Sequence, residues 1–163
     1  MKRTLTVVGK PRPQGSMRAL PLKGGGAVAV ANSPGIYQYR GDIQSAFYRK
    51  YGESIAPLEG PITLHAVFIY RRPNNHFRPA SKQKNRKART ELMPNAPGDH
   101  FLSTPDVDKL LRAVSDSLTG VAYVDDKQVS DIWGSKRWGD ADMTIIDILQ
   151  PGDDEEDAKN GLV

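Results

Sequence analysis

The sequence predicts an α+β fold, in which two main helices accompany a small mixed β-sheet of about four to five strands. Two observations carry this prediction. Residues 62–70 and 143–149 are runs rich in β-branched and other large apolar residues, which is typical of strands. Residues 37–51 and 106–119 instead repeat their apolar residues at helical intervals.

The N-terminal part begins with a predicted strand over residues 4–8. Residues 10–26 are rich in Pro, Gly and basic residues and are predicted as a loop. A run of three glycines at its end leads into residues 27–31, which are predicted as one strand of a hairpin.

The first predicted helix covers residues 37–51. Its apolar positions Tyr37, Ile43 and Phe47 recur at roughly helical intervals, and Gly52 is suited to end it. The strand over residues 62–70 follows directly after Pro61 and is the clearest strand of the chain.

A strongly basic segment follows over residues 71–89 and contains no acidic residue. Its prolines and asparagines argue against regular structure early in it, whereas residues 81–92 are predicted as a short helix. The connection from residue 71 to residue 104 is long, and such connections tend to be functional or mobile. The segment either lies on a phosphate backbone or is an ordinary solvated basic loop.

The C-terminal part is predicted as two strands, over residues 129–137 and 143–149, joined by a hairpin turn at Gly139-Asp140. Trp133 and Trp138 are expected to pack in the core or an interface rather than to stack on bases.

The composition limits the class of protein. The chain has 163 residues and no cysteine, which fits one domain without disulfides or thiolate zinc sites. Its three histidines are too scattered for a metal-binding motif. No apolar stretch is long enough to span a membrane and no secretory signal is visible, so a cytoplasmic protein is expected.

The charge is distributed unevenly. Residues 153–163 hold five acidic residues and one lysine, so residues 1–152 carry 22 basic and 14 acidic residues, a net charge of +8. We expect residues 1–152 to form the domain and residues 153–163 to be a disordered acidic tail. A basic body is common in proteins that contact nucleic acid.

Two acidic pairs flank the second helix. Asp106 and Asp108 lie at its predicted start, after Pro105, while Asp125 and Asp126 follow its predicted end at Thr119-Gly120. A returning chain would bring three or four carboxylates together, and such a cluster suits a hard cation such as Mg²⁺. Alternatively, the first pair caps the helix and the second forms a solvated turn.

The sequence of residues 105–129 resembles the signature of the RusA-type Holliday junction resolvases, in particular that of their phage and prophage branch. The matching motifs are Pro-Asp-Val-Asp at 105–108, Asp116, and Asp-Asp-Lys-Gln-Val at 125–129. The start Pro-Arg-Pro-Gln-Gly-Ser at residues 11–16 is similar to that branch as well. The resemblance implies the same α+β class.

The resemblance also implies roles for individual residues. Asp106, Asp108 and Asp126 fall on the metal-binding catalytic carboxylates of the family, and Asp125 falls on an accompanying acidic position that we include among the metal ligands. Asp116 falls on a second accompanying acidic position.

Two positions depart from the family pattern. Arg112 stands where the family usually has a catalytic Lys, and Lys109 stands where many members have Asn. Arginine cannot donate or accept a proton near neutral pH, so Arg112 is expected to hold a phosphate or to stabilise the charge of the transition state. It is also suited to an ion pair with Asp108 or Asp116, each four residues away, and the two roles are compatible.

Together these features predict metal-assisted hydrolysis of DNA phosphodiesters, with Mg²⁺, or alternatively Mn²⁺, as the cofactor. The expected substrate is a four-way junction in recombination and repair. Because its resolution takes two symmetric cuts, a homodimer is expected. The predicted DNA contacts are basic residues, namely Arg12, Arg18, Arg71, Arg72, Arg78, Lys82, Lys84, Arg86, Lys87 and Lys109.

Three alternatives remain open at this point. The same carboxylates suit a nuclease for other branched DNA. A nucleic-acid-binding protein that Arg112 has left catalytically weak would bind DNA without cutting it. A phosphohydrolase for small phosphate esters would make no use of the basic segment at residues 71–89.

Overall fold

The structure, a computed structural model, describes residues 2–15, 17–21, 23–31, 33–79, 82 and 91–152, with the backbone alone for residues 17–21 and 27–31. The strands are β1 (Arg3–Val8), β2 (Met17–Pro21), β3 (Ala27–Ala31), β4 (Ile62–Arg71), β5 (Val129–Gly139) and β6 (Met143–Leu149). The helices are α1 (Ile36–Tyr51) and α2 (Val107–Leu118). The predicted α+β class is confirmed. In the described part of the chain, no helix has the length and apolar character needed to cross a membrane.

Four strands form one mixed sheet in the order β1-β6-β4-β5. β6 is antiparallel to both of its neighbours, whereas β4 and β5 run parallel. β2 and β3 form a separate antiparallel hairpin. β2 was not predicted, since it lies within the segment 10–26 that was interpreted as a loop from its Pro and Gly content.

The predicted hairpin turn between β5 and β6 is wrong, because β4 lies between these two strands. After Gly139 the chain crosses the end of β4, and the backbone N–H of Arg72 donates to the Gly139 carbonyl at 2.8 Å. A Cβ atom at residue 139 would lie 2.5 Å from Cγ2 of Ile69. Only glycine therefore allows the crossing at this short distance.

β4 is the centre of the core. Its side chains alternate strictly, and those that face the helices are buried, namely Ile62, Leu64, Ala66, Phe68 and Tyr70. The periodicity of two that predicted this strand thus also marks the covered face of the sheet.

α1 packs on the same face through side chains spaced three and four residues apart. Ile36, Tyr39, Ile43 and Phe47 are buried, whereas Tyr37 is 60% exposed. The prediction that Tyr37 belongs to the apolar face is therefore wrong by one residue. Gly52 ends the helix as expected, with a positive φ of 88°.

The two tryptophans differ in their surroundings. Trp138 is half-buried and makes edge contacts with Phe101 and His76, as expected for a packed residue. Trp133 is 49% exposed on β5 and contacts the edge of His65, with ring centroids 5.8 Å apart. Core packing is therefore not found for Trp133.

α2 lies directly on β5. A Cβ atom at Gly134 would be 2.9 Å from both Cδ atoms of Leu111, so the missing side chain lets the helix approach the strand closely. This contact fixes the position of the helix that separates the two acidic pairs.

Candidate active site

The first acidic pair lies at the start of α2, as predicted. Asp106 is the N-cap residue and Asp108 is in the first turn, where a carboxylate interacts favourably with the helix dipole. The Asp106 carboxylate does not bond to the free amides of the helix. Instead it accepts a hydrogen bond from Nζ of Lys109 at 2.6 Å. Both carboxylates are exposed, so substrate and cations have access to them.

Lys136 of β5 holds the loop that leads into α2. Its Nζ donates to the carbonyls of Ser103 at 2.6 Å and Pro105 at 2.8 Å. The N-terminal loop is also attached to the first turn of α2, because the backbone N–H of Gln14 donates to the Lys109 carbonyl at 2.9 Å. Sequence reasoning missed Lys136, since a single lysine in a predicted strand carries no signal for a contact with a loop 31 residues earlier.

The ammonium group of Lys109 lowers the pKa of the Asp106 carboxyl by its hydrogen bond and its charge, and Lys136 adds a smaller electrostatic effect. The pKa of Lys109 is raised for the same reason. Because the carboxylate form of Asp106 is favoured in the folded protein, the ion pair contributes at neutral pH. Its contribution is lost as the pH falls through the lowered pKa.

We therefore expect Lys109→Met to raise the pKa of Asp106 towards its ordinary value. An NMR titration of the side-chain carboxyl carbons measures this shift. The matched control is Lys127→Met, which removes a lysine that pairs with Asp125 instead and should leave Asp106 unchanged. An Asp106 pKa that is the same in all three proteins would contradict the role given to Lys109.

Arg112 and Asp116, one turn apart on α2, have different surroundings. Asp116 pairs with Arg40 of α1 and so joins the two helices. Neither Asp108 nor Asp116 forms an ion pair with Arg112, which is exposed and has no hydrogen-bond partner in the described part of the chain. The alternative of a structural ion pair at Arg112 is thus not realised here, and its guanidinium is available for a phosphate.

The second acidic pair opens a short 3-10 turn, Asp126–Gln128. The Asp125 carboxylate caps this turn by accepting from the Lys127 N–H at 3.0 Å, and Gln128 Oε1 accepts from the Asp125 N–H at 2.8 Å. The hydrogen bonds from the backbone N–H and the side chain of Lys127, together with its charge, lower the pKa of Asp125. Asp126 is exposed. The turn interpretation of this pair therefore holds for Asp125.

Gln128 anchors the turn to the rest of the domain. Its Nε2 donates to the carbonyls of Leu58 at 3.0 Å and Gly60 at 2.8 Å, so one side chain satisfies three backbone groups. We expect Gln128→Ala to lower the free energy of unfolding by about 2 kcal/mol, since each net hydrogen bond contributes about 1 kcal/mol.

Denaturant unfolding measures this loss. Gln38→Ala is a suitable control, because Gln38 is exposed and its side chain donates to Asp42 on the same helix, so its replacement should change stability far less. Equal stabilities of the two variants would show that Gln128 is not an anchor.

The two acidic pairs lie towards opposite ends of α2. Tyr123 returns the chain to the end of the helix, where its hydroxyl donates to the Ser115 carbonyl at 2.9 Å and its backbone pairs with Thr119. A helix of 12 residues is about 18 Å long. Within the ranges that the structure describes, no three His, Asp or Glu side chains are grouped so that they could hold a metal. The expected convergence of three or four carboxylates is therefore not found in one chain.

The basic residues that were predicted to contact DNA differ in their exposure and their partners. Arg72 is 7% exposed, and its guanidinium donates to the carbonyls of Pro97 and Gly98, so it supports a loop instead. Arg71 and Lys82 are exposed, whereas Arg78 lies 4.0 Å from Glu91 and Arg12 packs beside Gly35. The side chains of Arg18, Lys84, Arg86 and Lys87 lie outside the described residues, as do the predicted helix at 81–92 in large part and the tail at 153–163.

The exposed carboxylate pair at the start of α2 thus has Lys109 and Arg112 on the same helix within one turn, and cationic groups of this kind suit contacts with phosphate. Residues 6–149 match the family model described as Endodeoxyribonuclease RusA. The chain therefore belongs to this family of DNA endonucleases, as the motifs in its sequence indicated. The comparison with curated proteins found no match.

Proposed function

We propose that this endodeoxyribonuclease resolves four-way DNA junctions by two symmetric cuts in recombination and repair, in the cytoplasm of its cell. The observation that carries the proposal is the exposed pair Asp106 and Asp108 at the start of α2, one turn before Arg112, whose guanidinium has no partner among the described residues. Family membership supports DNA as the substrate.

The proposed cofactor is Mg²⁺, with Mn²⁺ as the alternative. The donor chemistry suits a hard cation, because Asp106 and Asp108 offer exposed carboxylate oxygens. In the described part of one chain, no third ligand joins these two carboxylates to enclose a metal. Mg²⁺ is nevertheless commonly held by one or two carboxylates together with phosphate oxygens of the substrate. Such a cation would supply an activated water and neutralise charge on the attacked phosphate.

The other residues of the site hold and orient the substrate. Arg112 binds a non-bridging phosphate oxygen and stabilises the added charge of the transition state, since it cannot exchange a proton. Lys109 lowers the pKa of Asp106 by its hydrogen bond and its charge. Lys136 fixes residues 103–105, so the first turn of α2 keeps its position when DNA binds.

A homodimer follows from the symmetry of the substrate. A four-way junction has a two-fold axis, and a C₂ dimer supplies two related sites. Sedimentation equilibrium measures the assembly, and a chain that stays monomeric while it makes paired cuts would contradict this part of the proposal.

The test of the function is cleavage of a synthetic four-way junction and of a linear duplex with the same sequence, in Mg²⁺, on a denaturing gel. Paired symmetric nicks in the junction alone, which Asp108→Asn abolishes, are the expected result. Equal cutting of both DNAs would indicate a nuclease of broader substrate range.

A second candidate function is favoured by one observation, namely that arginine stands at position 112. A junction that is bound in a gel shift but not cut would identify a catalytically weak DNA-binding protein. In that case Arg112→Lys is the variant expected to restore cleavage.

A further inference from the structure

The edge of β5 that faces away from β4 is covered along its second half, where residues 99–101 form backbone hydrogen bonds with the carbonyl of Lys136 and the N–H of Trp138. Because backbone groups alternate in direction along a strand, Ile132 and Gly134 turn their N–H and C=O groups to the same edge. No partner for these groups is found among the residues that the structure describes. An open edge of this kind is a template for pairing with another strand.

Large apolar side chains accompany the open half of this edge. Ile132 is 50% exposed and Trp133 is 49% exposed, and the two side chains point to opposite faces of the sheet. Leu102, which follows the segment that covers the second half of the edge, is 90% exposed. Apolar residues that are exposed together beside unpaired backbone groups indicate a contact with another protein chain.

The edge is complementary to a second copy of itself. Two copies of β5 that are related by a two-fold axis run antiparallel to each other. When the axis passes between the two copies of Trp133, Ile132 lies opposite the partner's Gly134, and each such pair exchanges two backbone hydrogen bonds. The two indole rings are then directly opposite each other, and aromatic cross-strand pairs of this kind stabilise a sheet.

The face of the sheet that carries α2 fits the same register. Gly134 has no side chain, and Leu111 of α2 lies directly over it. The partner's Ile132, placed opposite Gly134, therefore meets Leu111 and is removed from water. An axis through Ile132 would instead set Trp133 opposite the partner's Asp131, an apolar ring against a carboxylate. The register with paired tryptophans is thus the favoured one.

The charges on the other face are complementary as well. In this register Asp131 lies diagonally opposite the partner's Arg137, at a spacing that long side chains bridge. The two-fold axis repeats this pair on the other side of the tryptophans. Neither Asp131 nor Arg137 forms an ion pair within its own chain, as far as the structure describes it. The edge therefore offers opposite charges, and no like charges, to a second copy.

We propose that the open edge of β5 is the surface through which two copies of this chain form a dimer, with Trp133 facing the partner's Trp133. The inference rests on the proposed function, because the symmetry of a four-way junction calls for two related sites. The two-fold axis of such a ladder is perpendicular to the sheet. Both α2 helices, and with them both candidate sites, then lie on the same side of one continuous sheet and face the same DNA.

The register is tested by crosslinking, since the chain contains no cysteine and one introduced thiol reports on itself alone. Trp133→Cys sets the two thiols at a Cα distance of about 4.5 Å, which suits a disulfide, so mild oxidation should give a covalent dimer. Asp131→Cys is the matched control, because its two copies are offset by about 14 Å along the strands and should not be joined. A covalent dimer from Asp131→Cys and none from Trp133→Cys would overturn the proposal.

Sedimentation equilibrium in EDTA tests the same surface without oxidation. Ile132→Lys places a charge within the ladder and should weaken the dimer by about tenfold or more. Val8→Lys makes the matched change at a residue that is 76% exposed on β1, the opposite edge of the sheet, and should leave the dimer intact. A natural chain that is monomeric, or a dimer that Val8→Lys weakens as much as Ile132→Lys does, would contradict the proposed surface.

Junction cleavage in Mg²⁺ keeps the two proposals apart. The Ile132→Lys protein should make single nicks where the natural protein makes paired cuts. A natural protein that dimerises through this edge but leaves the junction intact supports the surface and contradicts the proposed junction cleavage. A natural protein that makes paired cuts, together with an Ile132→Lys protein that is still fully dimeric, overturns the surface alone.

Discussion

Replacing Asp108 by asparagine should slow DNA cleavage by about 100-fold or more, since a carboxylate that orients a cation or the attacking water acts directly at the reacting phosphate. The fold should be retained, because Asp108 is exposed and no hydrogen bond to its side chain is found in the described part of the chain. The loss of its interaction with the helix dipole costs about 0.3–1 kcal/mol.

Single-turnover rates on a four-way junction measure this effect, with thermal melting as the check on folding. Asp131→Asn makes the same chemical change on the exposed part of β5, where Asp131 accepts from the Ser130 hydroxyl, and should cleave at the natural rate. If Asp108→Asn cleaved as fast as Asp131→Asn, the start of α2 would not be the reacting site.

Replacing Arg72 by methionine should lower the free energy of unfolding by about 2–3 kcal/mol, because hydrogen bonds from a charged donor to the Pro97 and Gly98 carbonyls are lost. Methionine keeps the apolar contact with Trp138, over whose ring the guanidinium lies at 5.7 Å. The loss is therefore one of polar contacts rather than of volume.

Arg71→Met is the matched comparison. Its side chain is exposed, so stability should change by less than about 0.5 kcal/mol. If Arg71 contacts a phosphate, the variant should bind DNA more weakly and reduce the salt dependence of binding by about one charge. Urea unfolding and binding at several salt concentrations separate the two roles. If Arg71→Met lost stability and Arg72→Met did not, Arg71 and not Arg72 would be the residue that supports the fold.

Local signals in the sequence predicted the helices and strands well. Pro105-Asp106 and Thr119-Gly120 mark the start and end of α2, and the structure has the helix at Val107–Leu118. The strand order could not be predicted in the same way. β5 and β6 are neighbours in sequence, yet β4 separates them in the sheet, because pairing depends on contacts between distant residues rather than on the strands' own patterns.

The same limit applies to the candidate site. The spacing of four residues suggested a pair between Arg112 and Asp116, but Arg40 of α1 takes Asp116. The basic composition of residues 71–89 suggested phosphate contacts, but Arg72 is buried against residues 97–99. In both cases tertiary packing brings a partner that is distant in sequence into contact with the side chain. A pattern within one helix or one segment does not reveal such a partner.

The most direct test of the account is cleavage of a supercoiled plasmid that extrudes a cruciform. Two symmetric cuts within one encounter convert this plasmid directly into linear DNA, and that is the predicted product, with the Asp108→Asn protein leaving the plasmid supercoiled. Accumulation of nicked circles, or equal cutting of a plasmid without the cruciform, would contradict the assignment as a junction-resolving enzyme.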